Sequence, residues 1–344
     1  MQKSKIQTIP GLPALSDLNV SSKNDVVVFY DQKLLKNLFV KTWLQKFPSK
    51  IALNAGESLK TLNSYSAILK KMTTLPIQKN TTFVSLGGGS VGDFVGFIAS
   101  TYKRGQRLIH IPSTWLSAVD SAHGGKTGLN FLDTKNQIGT FYAAEIIILS
   151  KKLLFSQPSD LITDAFGEVF KIGLINQPAI LQKFNLHRPK ISADFLWKNL
   201  TTAINGKYKI VDLDPYEKTG LRQVLNLGHT MGHVFEIAHR ISHGQAILFG
   251  LLFSARYSFQ LGYLKKAEFI KICQILFCVP LKLKYNKVLK IPNQKIKKLL
   301  LQDKKKSAKN QVNFIFMHKI GNVFIQPVLI SDLMSEVQRQ RRQL

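Results

Sequence analysis

Cysteine is nearly absent, with only Cys273 and Cys278 in 344 residues. Two thiols cannot build a disulfide framework, and a CxxxxC spacing without a second pair is not a zinc ribbon. The expectation is a reducing, cytoplasmic setting in which both thiols are buried small hydrophobes. Long apolar runs are missing too. The longest, around Ile247–Ser254, is about eight residues, whereas a membrane-spanning helix needs roughly twenty. The opening segment Met1–Ser16 has no apolar core of the kind that marks a secretory signal. Acidic residues are scarce, 20 against 48 basic ones, for a net charge of +28. Such a field favours anionic partners such as phosphorylated metabolites and nucleotides. No RNP, zinc-finger or bZIP pattern accompanies the charge, so nucleic acid is not indicated as a partner. What is plentiful is apolar residues, 45% of the chain against 20% charged, which is globular and excludes a disordered chain.

The first half alternates β-branched runs with helical spacing. Val26–Tyr30, Thr81–Leu86, Arg107–Ile111 and Ile146–Leu149 read as short buried strands, and Ser64–Leu75 and Gly92–Tyr102 as helices. Strand–helix alternation predicts an α/β domain with a mostly parallel sheet. From about residue 158 the pattern changes to long helices: Leu161–Ile175, Leu196–Ile210, Gly228–Ala238, Ala246–Leu261 and Lys266–Leu276. Strands at Val312–Met317 and Val323–Gln326 and a final helix from Ser331 follow. The expected organisation is an α/β domain over 1–157 and a mostly α-helical domain over 158–344, with Pro158 at the break.

Three constellations carry chemistry. Gly87, Gly89 and Gly92 satisfy GxGxxG, follow a strand and open a helix, which suits phosphate or dinucleotide binding at a helix N-terminus. The ribose-binding carboxylate expected about twenty residues on is absent, because that region reads Ile111-Pro112-Ser113-Thr114. The motif is therefore not an ordinary Rossmann fingerprint, and a tight turn packed on the sheet is the alternative. Gly124-Gly125-Lys126-Thr127 looks like the end of a Walker motif, but Asp120 stands where its first glycine is required. What remains is a lysine between glycines and polar residues, with Asp120 upstream and Lys135-Asn136 downstream, a cluster suited to a polar anion. Finally, His229 and His233 are four apart and share a helix face, with His243 ten residues beyond His233 and Arg222 and Asn226 just upstream. HxxxH is a metal-ligand spacing. Thr230 excludes the metalloprotease version, and Glu168, in an otherwise apolar helix, is the candidate carboxylate ligand. His239 reads as a surface residue.

Taken in order, these motifs resemble the 3-dehydroquinate synthase family of sugar phosphate cyclases. The resemblance runs from about Val26 to Gly321. GGGxxGDxxGFxAxxYxRG appears over Gly87–Gly105. PTTLLAxVDxxxGGKTxIN appears, with substitutions, over Pro112–Asn130. KNxIGxF is Lys135–Phe141, EVxK is Glu168–Lys171, and GLRxxLNxGHTxGHxxE is Gly220–Glu236. HGEA appears as His243-Gly244-Gln245-Ala246, with Gln245 replacing the usual glutamate, and DKK as Asp303-Lys304-Lys305.

The resemblance implies a dinucleotide-binding α/β domain followed by a metal-binding helical domain. The implied reaction converts 3-deoxy-arabino-heptulosonate 7-phosphate to 3-dehydroquinate and phosphate, by transient oxidation with NAD, elimination, re-reduction and aldol closure. It implies NAD and one zinc or cobalt ion as cofactors, with Glu168, His229 and His243 as metal ligands. Gly87, Gly88, Gly89, Gly92, Asp93, Ser113 and Thr114 match NAD contacts, and Asp31, Glu57 and Lys60 the cofactor's adenosine end. Asp120, Lys126, Lys135, Asn136, Lys171, Lys207, Arg222, Asn226 and His233 match the substrate and catalytic set, with Asp120, Lys126 and Lys135 also near the cofactor. Arg104 matches an arginine that reaches into a partner subunit's site, which implies a homodimer. Alternatives are a related cyclase acting on sedoheptulose 7-phosphate, or a metal-dependent alcohol dehydrogenase.

Overall fold

The computed structural model describes residues 3–132, 134–187, 191–302 and 310–343. The Asp303-Lys304-Lys305 match lies outside the described residues. The chain divides into two compact units, Met1–Leu161 and Ile162–Leu344.

The first unit is built on six strands: β1 (Lys5–Ile9), β2 (Val26–Asp31), β3 (Ser49–Leu53), β4 (Thr82–Gly87), β5 (Arg107–Pro112) and, after a hairpin, β8 (Ile146–Ser150). They form one sheet in the order β1-β8-β5-β4-β2-β3, parallel throughout. Parallel strands covered on both faces read as near-continuous apolar runs, and β2, β4 and β8 do. Helices α1 (Leu38–Leu44), α2 (Leu62–Met72), α3 (Gly89–Thr101) and the short α4 (Lys151–Phe155) complete the unit. On one face of the sheet Val26, Val28, Val84, Leu86, Ile109, Ile111, Ile146 and Ile148 pack with Val40, Trp43 and Leu44. Each such buried aliphatic contributes roughly 1.5–3 kcal/mol. Trp43 satisfies its indole N–H on Pro13 O at 2.7 Å. Helix α3 packs on β4, β5 and β2.

Four strands fall outside the segments that the sequence pattern marks. Lys5–Ile9 has no regular polar–apolar alternation and is ordered by β8, which pairs Lys5 with Ile146. Ser49–Leu53 joins the other edge beside β2. The antiparallel hairpin β6 (Lys126–Phe131) and β7 (Thr134–Phe141) carries the lysine cluster. Its register shifts between Leu129 and Phe131, leaving Asn130 in a bulge.

The second unit contains α5 (Asp160–Ile175), which begins at its boundary, then α6 (Pro178–His187), α7 (Ala193–Val211), α8 (His229–His239), α9 (His243–Gln260), α10 (Lys266–Phe277), α11 (Tyr285–Val288) and α12 (Asn293–Gln302). An antiparallel hairpin of β9 (Gln311–Lys319) and β10 (Asn322–Leu329) and a last helix α13 (Ile330–Arg342) close it. Helix α9 is its axis. Ala246 to Phe253 are all buried, because α8, α10 and β9 surround the helix. The cysteines correct the expectation: Cys273 is half-buried and Cys278 is exposed. Cys278 falls just past α10, where the chain leaves the core.

Candidate active site

In the first unit β4 ends at Gly87 and α3 opens at Gly89, with Gly88 as its N-cap. A Cβ on Gly87 would lie 2.5 Å from Val91 Cβ, and one on Gly89 2.8 Å from Ser121 Oγ, so no side chain fits. The turn places the positive end of the α3 dipole at the carboxyl edge of the sheet, where doubly wound folds bind ligands. Ser113 donates its N–H to Gly87 O at 2.8 Å, and the Thr114 side chain lies against Gly88. Asp93 accepts from Lys60 Nζ at 2.7 Å. Lys60 is buried and also donates to Asn136 Oδ1 at 2.5 Å. Burial raises the Asp93 carboxyl above its usual value, against the pull of Lys60.

The fold thus gathers the glycine turn, Asp93, Ser113, Thr114, Lys60 and Asn136. Glu57 joins them through Asn130, which donates to Glu57 Oε2 at 2.9 Å. Asp31 ends β2 and caps its own turn, accepting from Lys33 N at 3.0 Å. Asp120 is half-buried in a wide, π-helical turn over Ser117–Ser121, and Lys126 and Lys135 are exposed on the hairpin. Arg104 is exposed in a turn where Lys103, Arg104 and Gly105 all have positive φ. His110, which the sequence pattern did not single out, lies buried in β5 with its ring beside Gly92. Burial pushes it down to about 4, so it is a neutral imidazole near pH 7.

In the second unit glycines decide which residues meet. A Cβ on Gly244 would lie 2.1 Å from Asp164 Cα, and one on Gly250 1.9 Å from Gly228 O. The start of α9 therefore sits directly on α5, and the middle of α9 on the start of α8. Gly228 itself caps α8 at φ +79, a conformation only glycine adopts readily. The outcome is that Glu168 from α5, His229 from α8 and His243 from α9 converge, each offering a ligand atom within 4.8 Å of the others. His229 Nε2 is 3.6 Å and His243 Nε2 3.4 Å from Glu168 Oε1. Glu168 is 1% exposed, and neither carboxylate oxygen has a hydrogen bond of normal geometry, although Lys171 Nζ is ion-paired with it. A buried carboxylate facing two imidazole nitrogens at these separations fits a divalent cation among the three.

The electrostatics agree. Burial opposes ionisation of Glu168, but Lys171 and the two imidazoles hold its carboxyl well below the usual range. Burial, with Lys171 nearby, pushes His229 down to about 3, leaving a neutral ring with a free lone pair for a metal. Burial also pulls on His243, but the carboxylates of Glu168 and Glu236 push it up to about 10. A cation between Glu168 and His243 would take the place of that proton. Glu236, the last residue of the Gly220–Glu236 match, orients one of these rings. Its Oε2 lies 3.0 Å from His243 Nδ1, which turns Nε2 toward Glu168, as a metal-ligating histidine requires.

Around the triad, His233 lies one turn along α8, its ring 5.3 Å from that of His229. Lys171, Lys207 and Arg222 are buried, and Asn226 is exposed at the end of the turn preceding α8. Arg222 donates through Nη1 to Pro215 O at 3.0 Å. Asp214 belongs to none of the motifs, yet its buried carboxylate accepts from the backbone N–H groups of Lys218, Thr219 and Arg222 at 2.7, 3.2 and 3.2 Å. It shapes the loop leading to Arg222. Gln245, where the resembled pattern has glutamate, is buried and accepts from Lys282 N at 3.1 Å. His239 corrects the expectation of a surface residue: it is half-buried, with Nε2 2.8 Å from Val288 O.

A parallel α/β unit followed by a helical unit bearing a Glu-His-His triad is a fold that solved NAD- and metal-bound proteins share. The architecture matches a solved 2-epi-5-epi-valiolone synthase from Streptomyces hygroscopicus subsp. jinggangensis, with NAD+ and Zn2+ bound, at TM-score 0.82 and 19% identity over 100% of this chain and 98% of that one. It matches a 2-deoxy-scyllo-inosose synthase complexed with carbaglucose-6-phosphate, NAD+ and Co2+ at 0.80 and 21%, over 97% and 96%. An iron-containing alcohol dehydrogenase from Thermococcus thioreducens matches more distantly, at 0.60 and 14% over 99% and 98%. Residues 50–164 match the 3-dehydroquinate synthase N-terminal model and residues 165–306 the C-terminal one. The 3-dehydroquinate synthase of Pelagibacter ubique is 34% identical over 87% of this chain and 84% of its own length, and that of Picrophilus torridus 32% over 85% and 84%. The chain belongs to the 3-dehydroquinate synthase family.

Proposed function

We propose that the protein is a 3-dehydroquinate synthase, a lyase of aromatic amino acid biosynthesis that converts 3-deoxy-arabino-heptulosonate 7-phosphate to 3-dehydroquinate and phosphate. Family membership over both units supports this, and the observation that carries the chemistry is the triad of buried Glu168 with half-buried His229 and His243. When bound, NAD supplies reversible hydride chemistry, and a zinc or cobalt ion supplies Lewis-acid polarisation of a hydroxyl or ketone.

The chain's own residues bind and orient. Gly87, Gly88, Gly89, Gly92, Asp93, Ser113 and Thr114 hold the dinucleotide, and Asp31, Glu57 and Lys60 its adenosine end. Glu168, His229 and His243 hold the cation. Lys126, Lys171, Lys207 and Arg222 bind the substrate's carboxylate and phosphate, for which charge-assisted hydrogen bonds are the strong choice. Asp120, Lys135, Asn136 and Asn226 bind its hydroxyls. His233 is the proton carrier beside the cation site. The net charge of +28 draws this substrate, with its carboxylate and phosphate, to the protein. Among the described residues no helix is long and apolar enough to cross a membrane, and we place the enzyme in the cytoplasm. Arg104, exposed in its strained turn, is assigned to a partner subunit's site in a homodimer, which sedimentation at micromolar concentration tests.

The deciding experiment offers the purified protein 3-deoxy-arabino-heptulosonate 7-phosphate with NAD and zinc, and follows phosphate, 3-dehydroquinate and absorbance at the NADH wavelength. Phosphate and 3-dehydroquinate should appear in equal amounts with no net NADH. NADH accumulating with product would instead indicate a dehydrogenase, and phosphate release from sedoheptulose 7-phosphate alone would indicate a different cyclase.

A further inference from the structure

The hairpin bulge offers an assignment beyond these roles. In a regular β6–β7 ladder Asn130 would pair with β7, but the register shifts there. Its backbone N–H instead donates to Lys60 O at 2.7 Å. Its side chain reaches two further segments: Nδ2 donates to Glu57 Oε2 at 2.9 Å, and Oδ1 accepts from Asn136 N at 2.9 Å. Asn136 sits at φ +53, a left-handed conformation that needs local support. The ring of contacts then closes through Lys60 Nζ, which donates to Asn136 Oδ1 and Asp93 Oδ2. Bulges recur beside active sites because they re-aim one residue out of its ladder.

We propose that Asn130 is a positioning residue that couples the cofactor's adenosine segment, Glu57 to Lys60, to the substrate-contacting Asn136. The assignment rests on the functional reading above. The position demands one donor and one acceptor on a short stem. Aspartate cannot donate to Glu57, leucine can do neither, and glutamine is a methylene too long. Because Glu57 and Asn136 are held by opposite ends of one amide, ordering of one by its ligand restrains the other.

The test reverses one end at a time. Asn130→Asp keeps the acceptor for Asn136 N but sets a carboxylate against Glu57. NAD affinity, measured by calorimetry on the zinc-loaded protein, should fall about tenfold or more, which is the scale of losing a charge-assisted hydrogen bond. The KM for substrate at saturating NAD should change less than about threefold, and the melting temperature should barely move. In a Glu57→Gln background the introduced amide can donate to the introduced carboxylate, and the same Asn130→Asp change should cost NAD affinity less than about threefold. Asn130→Ala should weaken both ligands. Equal losses from Asn130→Asp with and without Glu57→Gln, or losses that track the melting temperature, would reduce Asn130 to a structural residue and overturn the proposal, as would unaltered NAD binding. If the unsubstituted protein binds NAD but does not turn over the sugar phosphate, the substrate reading fails, while the calorimetric cycle still decides the link between Asn130 and Glu57.

Discussion

Gly244→Ala tests how the triad is assembled, without touching a ligand. Gly244 follows His243 at the start of α9, and a methyl there would lie 2.1 Å from Asp164 Cα and 2.3 Å from Asp164 O. Carbon atoms rest at about 3.5–4.0 Å, so α9 would have to withdraw from α5 by on the order of 1.5 Å. Those helices carry His243 and Glu168, and a metal tolerates only about 0.2 Å of error in its ligand distances. Overpacking costs about 1–3 kcal/mol, which for a unit of this size lowers the melting temperature by roughly 2–12 °C. A glycine replaced by alanine at an open helical position does the opposite and stabilises by up to about 1 kcal/mol. The sign therefore decides. Thermal unfolding followed by circular dichroism, with elemental analysis of the zinc-reconstituted protein, should show a lower melting temperature and well under one metal per chain. Gly11→Ala, where nothing lies within 4 Å of the added methyl, is the control and should change neither. A Gly244→Ala protein with raised melting temperature and full metal content would refute the close-packing account of the site.

Other outcomes follow from the same geometry. His229→Ala should purify with well under one metal per chain and lose turnover; a full metal complement would remove His229 from the triad. Chelation should abolish activity, and zinc or cobalt should restore it; activity that survives exhaustive chelation would exclude a metal role. Lys126→Met, on an exposed strand end, should raise substrate KM or lower kcat/KM by roughly 10- to 150-fold, the worth of one charge-assisted hydrogen bond, with NAD affinity nearly unaltered; unchanged kinetics would make Lys126 a solvent-facing strand residue with no part in substrate binding. Lys60→Met removes the buried cation between Asp93 and Asn136. It should weaken NAD by at least tenfold, and titration by calorimetry would refute the assignment if affinity held.

Local chemistry was legible in the residues alone. The run from Thr82 through Gly89 into α3 is a strand, a turn that excludes side chains and a helix start, and each step follows from neighbours a few positions away. The i,i+4 spacing of His229 and His233 likewise fixed one helix face, and a glutamate in an apolar helix marked Glu168 as a group needing a partner. Tertiary structure decided which distant groups those would be. Lys5–Ile9 is a strand because β8, which pairs Lys5 with Ile146, offers it a parallel edge, and no local period encodes that partner. Asp214 matters because three backbone N–H groups fold back onto it. Glu236 and Asn130 sat inside recognisable motifs, yet their work depends on where a nitrogen of His243 and a carboxylate of Glu57 lie in space. Sequence specifies residue types and local period, because those depend on neighbours along the chain. Donor–acceptor pairing across segments is set by packing, here by glycines that let α5, α8 and α9 approach until a carboxylate and two imidazoles share one small volume.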